Sequence, residues 1–438
     1  MNLETGPDDA ISIIYNFIIA ADPGFDDRLS LCNSILVLLA SERYQKLTIA
    51  RSEVPLITTL FVLTYTQDTT TLKSPKYSSA LQFDQYLEEP EQEEALSELR
   101  SVLSARLWDI SARPEFALSD TLTTDLLCML RRWLSGPQTQ MQLCACSVFR
   151  NLTVSHGATS DLIRQTNVND ALVDIMRDSS DIQVLEETLR LYRNLAVHLH
   201  YRILLAENGA MDAITALWSK YPVQIVQYAA ARVIRQLLTG ESFNVKKFLA
   251  LKPKLSEDSR SCNTYVARLM DLYSITDDLG TRMEVGQVVV AMWRVGACRE
   301  EETAAEPITI DDAIHQAEAV GISIAKPVMA MITESGNPSL VTQGWLGLAL
   351  MAGTEKGSVA VADILCVADN FKVFRTTLLE HGKESSTQDN NNASILLRLL
   401  EKNHVRHNEI AGTYGLLTLC SSLGCRSRSR SSILIITE

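Results

Sequence analysis

The sequence predicts an all-α chain, a right-handed solenoid built from three-helix units of about 42 residues. Three observations predict it. A polar rung recurs at Asp109, Asn151, Asn194 and Gln236, at spacings of 42, 43 and 42. Apolar residues recur at helical rather than strand intervals. Only 12 Pro and 19 Gly occur in 438 residues, too few for a chain of short strands and turns.

The rung lies in four related segments: Arg106-Leu-Trp-Asp-Ile-Ser, Ser147-Val-Phe-Arg-Asn-Leu-Thr-Val, Arg190-Leu-Tyr-Arg-Asn-Leu-Ala-Val and Arg232-Val-Ile-Arg-Gln-Leu-Leu. A second register agrees, because Leu162–Met176 overlays Leu204–Trp218 at an offset of 42. Ile57-Thr-Thr-Leu-Phe also echoes Ile214-Thr-Ala-Leu-Trp. Within Ile182–Leu199 apolar residues fall at Leu185, Leu189, Tyr192, Ala196 and Leu199. Their steps alternate between four and three, which places them on one buried helical stripe. Asp178-Ser-Ser-Asp181 supplies N-cap residue types before that helix. Asn208-Gly209 supplies a turn, since Gly accepts left-handed backbone without steric cost.

One unit therefore reads as a short helix, a turn at Asn208-Gly209, a helix over Ala210–Ser219, a turn near Tyr221-Pro222, and a long helix over Val223–Thr239. This three-helix unit resembles an armadillo repeat rather than a two-helix HEAT repeat. Glu207-Asn-Gly-Ala-Met-Asp-Ala-Ile is similar to the armadillo signature at the entry to the second helix. The repeats are expected over 1–420, with polar or acidic interruptions at 67–92, 241–262, 299–312 and 383–393. The interval from Arg235 to Arg294 is 59 residues, so that unit either carries an insertion or lacks a helix. The segment 421–438, Ser-Ser-Leu-Gly-Cys-Arg-Ser-Arg-Ser-Arg onward, departs from the repeat pattern and is expected to be irregular.

A net charge of −13 argues against nucleic acid as a partner, because a phosphate backbone must be neutralised by basic side chains. It favours basic partners. No basic region precedes the first apolar stretch, as a secretory signal would require. The longest uncharged run, Ser335–Thr354, has an apolar part of only 14 residues, Leu340–Gly353. That is short of the roughly 20 residues a membrane span needs. Nine scattered cysteines without a CxxC pair read as reduced core thiols and a cytoplasmic location.

Nucleophile-elbow, phosphate-loop, zinc-protease and dinucleotide motifs do not occur. His198 and His200 stand two apart, so on a helix their rings diverge and make no ligand pair. No catalysis, cofactor or metal is expected; the chemistry expected is binding.

The rung is the candidate surface. A carboxamide offers one acceptor and two donors, so Asn151 and Asn194 can hold both the C=O and the N–H of an extended peptide. Asp109 and Gln236 occupy the flanking rungs. One turn earlier lie Ser147, Arg190 and Arg232, and two turns earlier Cys144, Glu187 and Ala229, a face of mixed charge. The alternative is that each Asn hydrogen-bonds the neighbouring helix backbone. A second ladder, Arg150, Arg193, Arg235 and Arg294, is expected to pair with carboxylates of the following unit. The densest acidic cluster, Glu88 to Glu98, is a solvated linker, a first helical turn, or a fence that steers a basic partner.

Three blocks, in this order, are similar to the armadillo-type small-GTPase GDP-dissociation stimulators. They are Leu191-Tyr-Arg-Asn-Leu-Ala-Val with Arg202-Ile-Leu-Leu-Ala-Glu-Asn-Gly-Ala-Met, Met283-Glu-Val-Gly-Gln-Val-Val-Val-Ala-Met-Trp-Arg, and Leu346-Gly-Leu-Ala-Leu-Met-Ala-Gly with Thr354-Glu-Lys. The similarity covers Asp181 to Ala362. It implies a protein that stimulates GDP release from Rho- or Ras-type GTPases and chaperones their basic, prenylated tails. It further implies that Asn194, Glu284, Gln287 and Gln343 face the GTPase. Thr342 stands where the family pattern has Asn, and Val285-Gly286 where it has a polar pair. The other readings are an adaptor for a basic linear peptide and a scaffold with no single ligand.

Overall fold

The computed structural model describes residues 9–21, 24–65, 90–118, 124–250, 264–297, 310–379 and 388–403. Among them the regular structure is helical throughout, with 23 α-helices and no strand. The chain divides into two compact units, Met1–His198 and Leu199–Glu438.

The first unit begins with α1 (Ala10–Ala21) and α2 (Phe25–Leu39). There follow α3 (Glu42–Ala50), α4 (Val54–Leu63) and α5 (Pro90–Ser111), then α6 (Pro114–Leu118), α7 (Thr124–Ser135) and α8 (Thr139–Leu152). Its last helices are α9 (His156–Thr166), α10 (Val168–Asp178) and α11 (Ile182–Leu195). Every third helix packs on its predecessor, so α2, α5, α8 and α11 form one layer, with α4, α7 and α10 behind it.

The second unit continues the pattern. It holds α12 (Arg202–Leu205), α13 (Ala210–Lys220) and α14 (Gln224–Leu238), then α15 (Ser242–Leu249), α16 (Tyr265–Ile275) and α17 (Leu279–Ala297). After these come α18 (Asp311–Glu318), α19 (Ala325–Thr333) and α20 (Pro338–Met351), then α21 (Glu355–Leu365), α22 (Ala368–Leu379) and α23 (Gln388–Lys402). Here α14, α17, α20 and α23 pack successively, with α13, α16, α19 and α22 as the second helices.

Local chemistry places the helix ends where the sequence puts them. Asp181 caps α11 by accepting from the N–H groups of Gln183 and Val184 at 2.8 and 3.1 Å. Asn208 and Gly209 are both left-handed, at φ 54° and 78°, and they separate α12 from α13. The matching residue one repeat earlier, Asn167, is left-handed too, at φ 49°; its short polar side chain tolerates what most residues do not. Ser155, Thr264 and Thr354 cap α9, α16 and α21 in the same manner.

The core lies between the third helices and the layer behind them. Tyr192, Phe149, Phe248, Trp293 and Trp345 are fully buried there. The layers of the second unit approach closely because of glycine. A Cβ built on Gly286 of α17 would stand 2.7 Å from the carbonyl oxygen of Pro327 on α19, and one on Gly347 of α20 2.6 Å from Val290. This explains Gly286, which breaks the family-like polar pattern: α19 occupies the space that a side chain would need.

Helical order reaches further than the interruption boundaries drawn from the sequence. Within 241–262, Ser242–Leu249 is α15, whose Asn244 donates to the carbonyls of Arg202 and Leu237 at 3.0 and 2.9 Å. No helix is missing between Arg235 and Arg294, so the long interval is an insertion. Helix α5 starts at Pro90, α18 at Asp311 and α23 at Gln388, each inside a segment expected to be irregular. Polar composition misled there, because Glu91, Asp311 and Asp389 sit in first turns, where carboxylates favour the helix dipole. The parts at 66–89, 251–263, 298–309 and 380–387, and the tail 421–438, lie outside the described residues.

Candidate functional site

The third helices present an open stripe of half-buried polar side chains. In the first unit this stripe is largely satisfied from within. Asn151 on α8 donates its amide to the Ser111 hydroxyl at 2.9 Å and the Trp108 carbonyl at 3.3 Å, tying α8 to the end of α5. Asp109 pairs with Arg106 one turn back, at 2.9 Å. Glu187 on α11 accepts from Arg150 of the preceding repeat at 2.6 Å and from Arg190 at 2.8 Å. Arg190 also reaches Glu186. Asn194 differs: it is half-buried, and among the described residues its carboxamide forms no intramolecular hydrogen bond.

In the second unit Glu284 is 5% exposed, on α17. Arg235 of α14 donates to it at 2.7 Å, and the Arg232 Nε lies 3.7 Å away. Arg232 also stands over the Tyr228 ring, 5.3 Å from its centroid. One buried carboxylate therefore orders two guanidiniums, the bidentate-capable partners suited to such a site. Gln236 lies on the same helix and has its own intramolecular contact. Gln287, one turn beyond Glu284, and Gln343 on the adjacent α20 are half-buried and form no side-chain hydrogen bond among the described residues. Thr342, beside Gln343, is held by Asp389 of α23.

The arginine ladder thus behaves as expected at Arg150 and Arg235, each of which clips a carboxylate on the next third helix. Arg294 is exposed and makes no ion pair among the described residues. The partner-binding set read from the sequence separates physically. Glu187, Glu284 and Asn151 tie neighbouring repeats together and Asp109 pairs within its own helix, whereas Asn194, Gln287 and Gln343 make no side-chain hydrogen bond among the described residues. Pairing also neutralises the carboxylates that an acidic groove would need, so the stripe itself is not acidic.

Of the described cysteines, Cys128 and Cys366 are half-buried and the others are core residues. Cys32, Cys144 and Cys146 are buried, and burial pushes each thiol up to about 12. Among the described residues there is no cluster of three or more metal-ligating side chains and no helix long and apolar enough to cross a membrane. His198 lies in the bend after α11 and His200 in the short 3-10 helix Leu199–Tyr201, and His198 packs edge-on against His156 at 5.3 Å.

No protein-family model matches the chain, and no curated protein matches its sequence. Solved structures do match in fold. An engineered protein superposes over 95% of this chain and 85% of its own, with a TM-score of 0.59 and 13% identity. The structure of Uso1-1 superposes over 97% of this chain and 66% of its own, with a TM-score of 0.55 and 14% identity. A designed armadillo repeat protein aligns over 63% of this chain at a TM-score of 0.47. The successive helix triplets define an all-α solenoid of three-helix repeats.

Proposed function

We propose that the protein is a binding scaffold whose third-helix stripe holds an extended segment of a protein partner. The observation that supports it most lies in the second unit, where the half-buried amides of Gln287 on α17 and Gln343 on the adjacent α20 have no hydrogen-bond partner among the described residues. An amide left unpaired in a folded chain forgoes about 1 kcal/mol that a partner's backbone can restore. Neighbouring third helices stand roughly 8–10 Å apart, about three residues of an extended chain. Amides at that interval suit main-chain capture. The reading assigns binding energy and no covalent chemistry, in a cytoplasmic setting.

The finer reading is stimulation of GDP release from Rho- or Ras-type GTPases and chaperoning of their tails. The three sequence blocks between Asp181 and Ala362 support it. Contacts favouring the nucleotide-free switch region would shift the GTPase toward it, and GDP would leave. Because Glu187 and Glu284 are already paired, attraction of a basic tail would rest on the outer acids and not on the stripe.

One experiment separates the readings. Release of fluorescent GDP from Rho- and Ras-type GTPases is followed with and without the protein, beside binding of isolated peptides. Accelerated release that weakens with salt supports the stimulator. Unchanged release together with peptide binding removes the stimulator and keeps the scaffold. Neither release nor binding removes both.

A further inference from the structure

The chain as a whole is acidic, at −13, yet the third helices α14 and α17 of its second unit are locally basic, while on α23 the Asp389 carboxylate accepts from Thr342. Helices α14 and α17 present Arg232, Arg235 and Arg294 against one carboxylate, Glu284, which is 5% exposed. That carboxylate lies 2.7 Å from the Arg235 Nε and 3.7 Å from the Arg232 Nε. It holds both guanidiniums in place and cancels only one of them. Arg294 is exposed and without an ion pair among the described residues. It lies seven residues after Gln287, hence on the same helical face and about 10 Å further along α17. The positive groups gather toward the ends of these two helices, beside carbonyl ends that favour cations, and the free amides of Gln287 and Gln343 lie behind them.

We infer that the stripe of the second unit binds an extended polypeptide segment bearing carboxylates. Its acidic side chains meet Arg294 and the Arg232/Arg235 pair, and its backbone meets Gln287 and Gln343. This rests on the scaffold reading and departs from the basic partner that the net charge suggests. The field at the bound segment is set by charges within about 10 Å, the distance over which salt screens the remainder. A guanidinium already oriented by a buried carboxylate loses less side-chain freedom when it binds a second one, so the paired arginines are a prepared site.

The test uses the full chain and three labelled peptides of about twelve residues, alternating Ala with Glu, with Lys or with Ser. The Glu peptide is expected to bind about tenfold more tightly than the Lys peptide, one charge-assisted contact's worth. Arg294→Gln should weaken the Glu peptide about fivefold, and Arg294→Glu should abolish the preference, with the urea midpoint of each variant unchanged. Equal or tighter binding of the Lys peptide overturns the inference and leaves the scaffold reading standing. A Glu preference that survives Arg294→Glu also overturns it. Failure of all three peptides to bind overturns the scaffold reading with it.

Discussion

Gly286→Ala tests how closely the layers of the second unit approach. The added Cβ would lie 2.6 Å from the Met331 sulfur, 2.8 Å from the Met331 Cγ and 2.7 Å from the Pro327 carbonyl oxygen. Met331 can swing aside, because its side chain is unbranched and flexible. The carbonyl oxygen belongs to the backbone of α19 and moves only with the helix. Overpacking of this kind costs about 1–3 kcal/mol. Alanine regains about 1 kcal/mol over glycine in a helix interior. Because the overlap includes backbone, the overpacking cost falls in the upper part of that range, about 2–3 kcal/mol, so the net expectation is a loss of about 1–2 kcal/mol, or a roughly 5- to 30-fold rise in local opening. Long repeat arrays need not unfold in one step, so amide hydrogen exchange is the suitable readout. Exchange should speed up in α17 and α19 and remain unchanged in the first unit. The control is Gly157→Ala in α9, whose Cβ would meet only the Ser155 hydroxyl at 3.9 Å, an ordinary contact, and should leave stability unchanged or raise it by up to about 1 kcal/mol. If Gly286→Ala leaves exchange in α17 unchanged or slows it, the close approach is not what holds these layers, and the packing argument fails.

Three further outcomes are expected. Glu284→Gln should cost about 1–3 kcal/mol in urea unfolding, less than a fully buried pair because Arg232 and Arg235 keep contact with water; a loss below about 0.5 kcal/mol would show that the clip between α14 and α17 is incidental. Asn151→Ala should cost about 1 kcal/mol, whereas Asn194→Ala should be nearly neutral, since only Asn151 has partners to lose; the reverse order refutes the division between structural and binding rungs. Cys32, Cys144 and Cys146 should resist alkylation in the native chain at mildly alkaline pH, as thiols raised to about 12 hold little reactive thiolate. The sign of their linkage follows. Above the ordinary value of 9.0 the unfolded thiols ionise while the folded ones do not, so the unfolded state binds fewer protons and stability falls as pH rises. Rapid native labelling, or stability that increases over that range, would contradict their burial.

Much of this architecture is legible in the sequence because its causes are local. The 42-residue offset between Leu162–Met176 and Leu204–Trp218 reappears as the equivalence of α10 with α13. Asp181 as a cap and Asn208-Gly209 as a left-handed turn depend on their own backbone, so residue type announces them. Leu185, Leu189, Tyr192 and Ala196 of the stripe are buried as its period requires, but Leu199, which lies past the end of α11 at Leu195, is 48% exposed. Helix α15 was missed because a short helix after a turn has too few apolar positions to show a period. The start of α23 was missed because Gln388-Asp-Asn-Asn-Asn has a loop composition, although Asn390 and Asn392 are buried and donate to the carbonyls of Thr377 and Thr342.

The sequence by itself determined the repeat, the helix triplets and the position of the rung, since period and capping act within a few residues along the chain. Only the tertiary structure decided what each rung residue does. Asn151 and Asn194 occupy the same position in their repeats, yet one is spent on Ser111 and Trp108 while the amide of the other makes no hydrogen bond among the described residues. Glu284 reads as a surface acid but is buried between two arginines from a helix about 50 residues earlier. The use of a hydrogen bond or a charge is set by what neighbouring repeats bring within about 3 Å, and that proximity exists only after the helices have stacked.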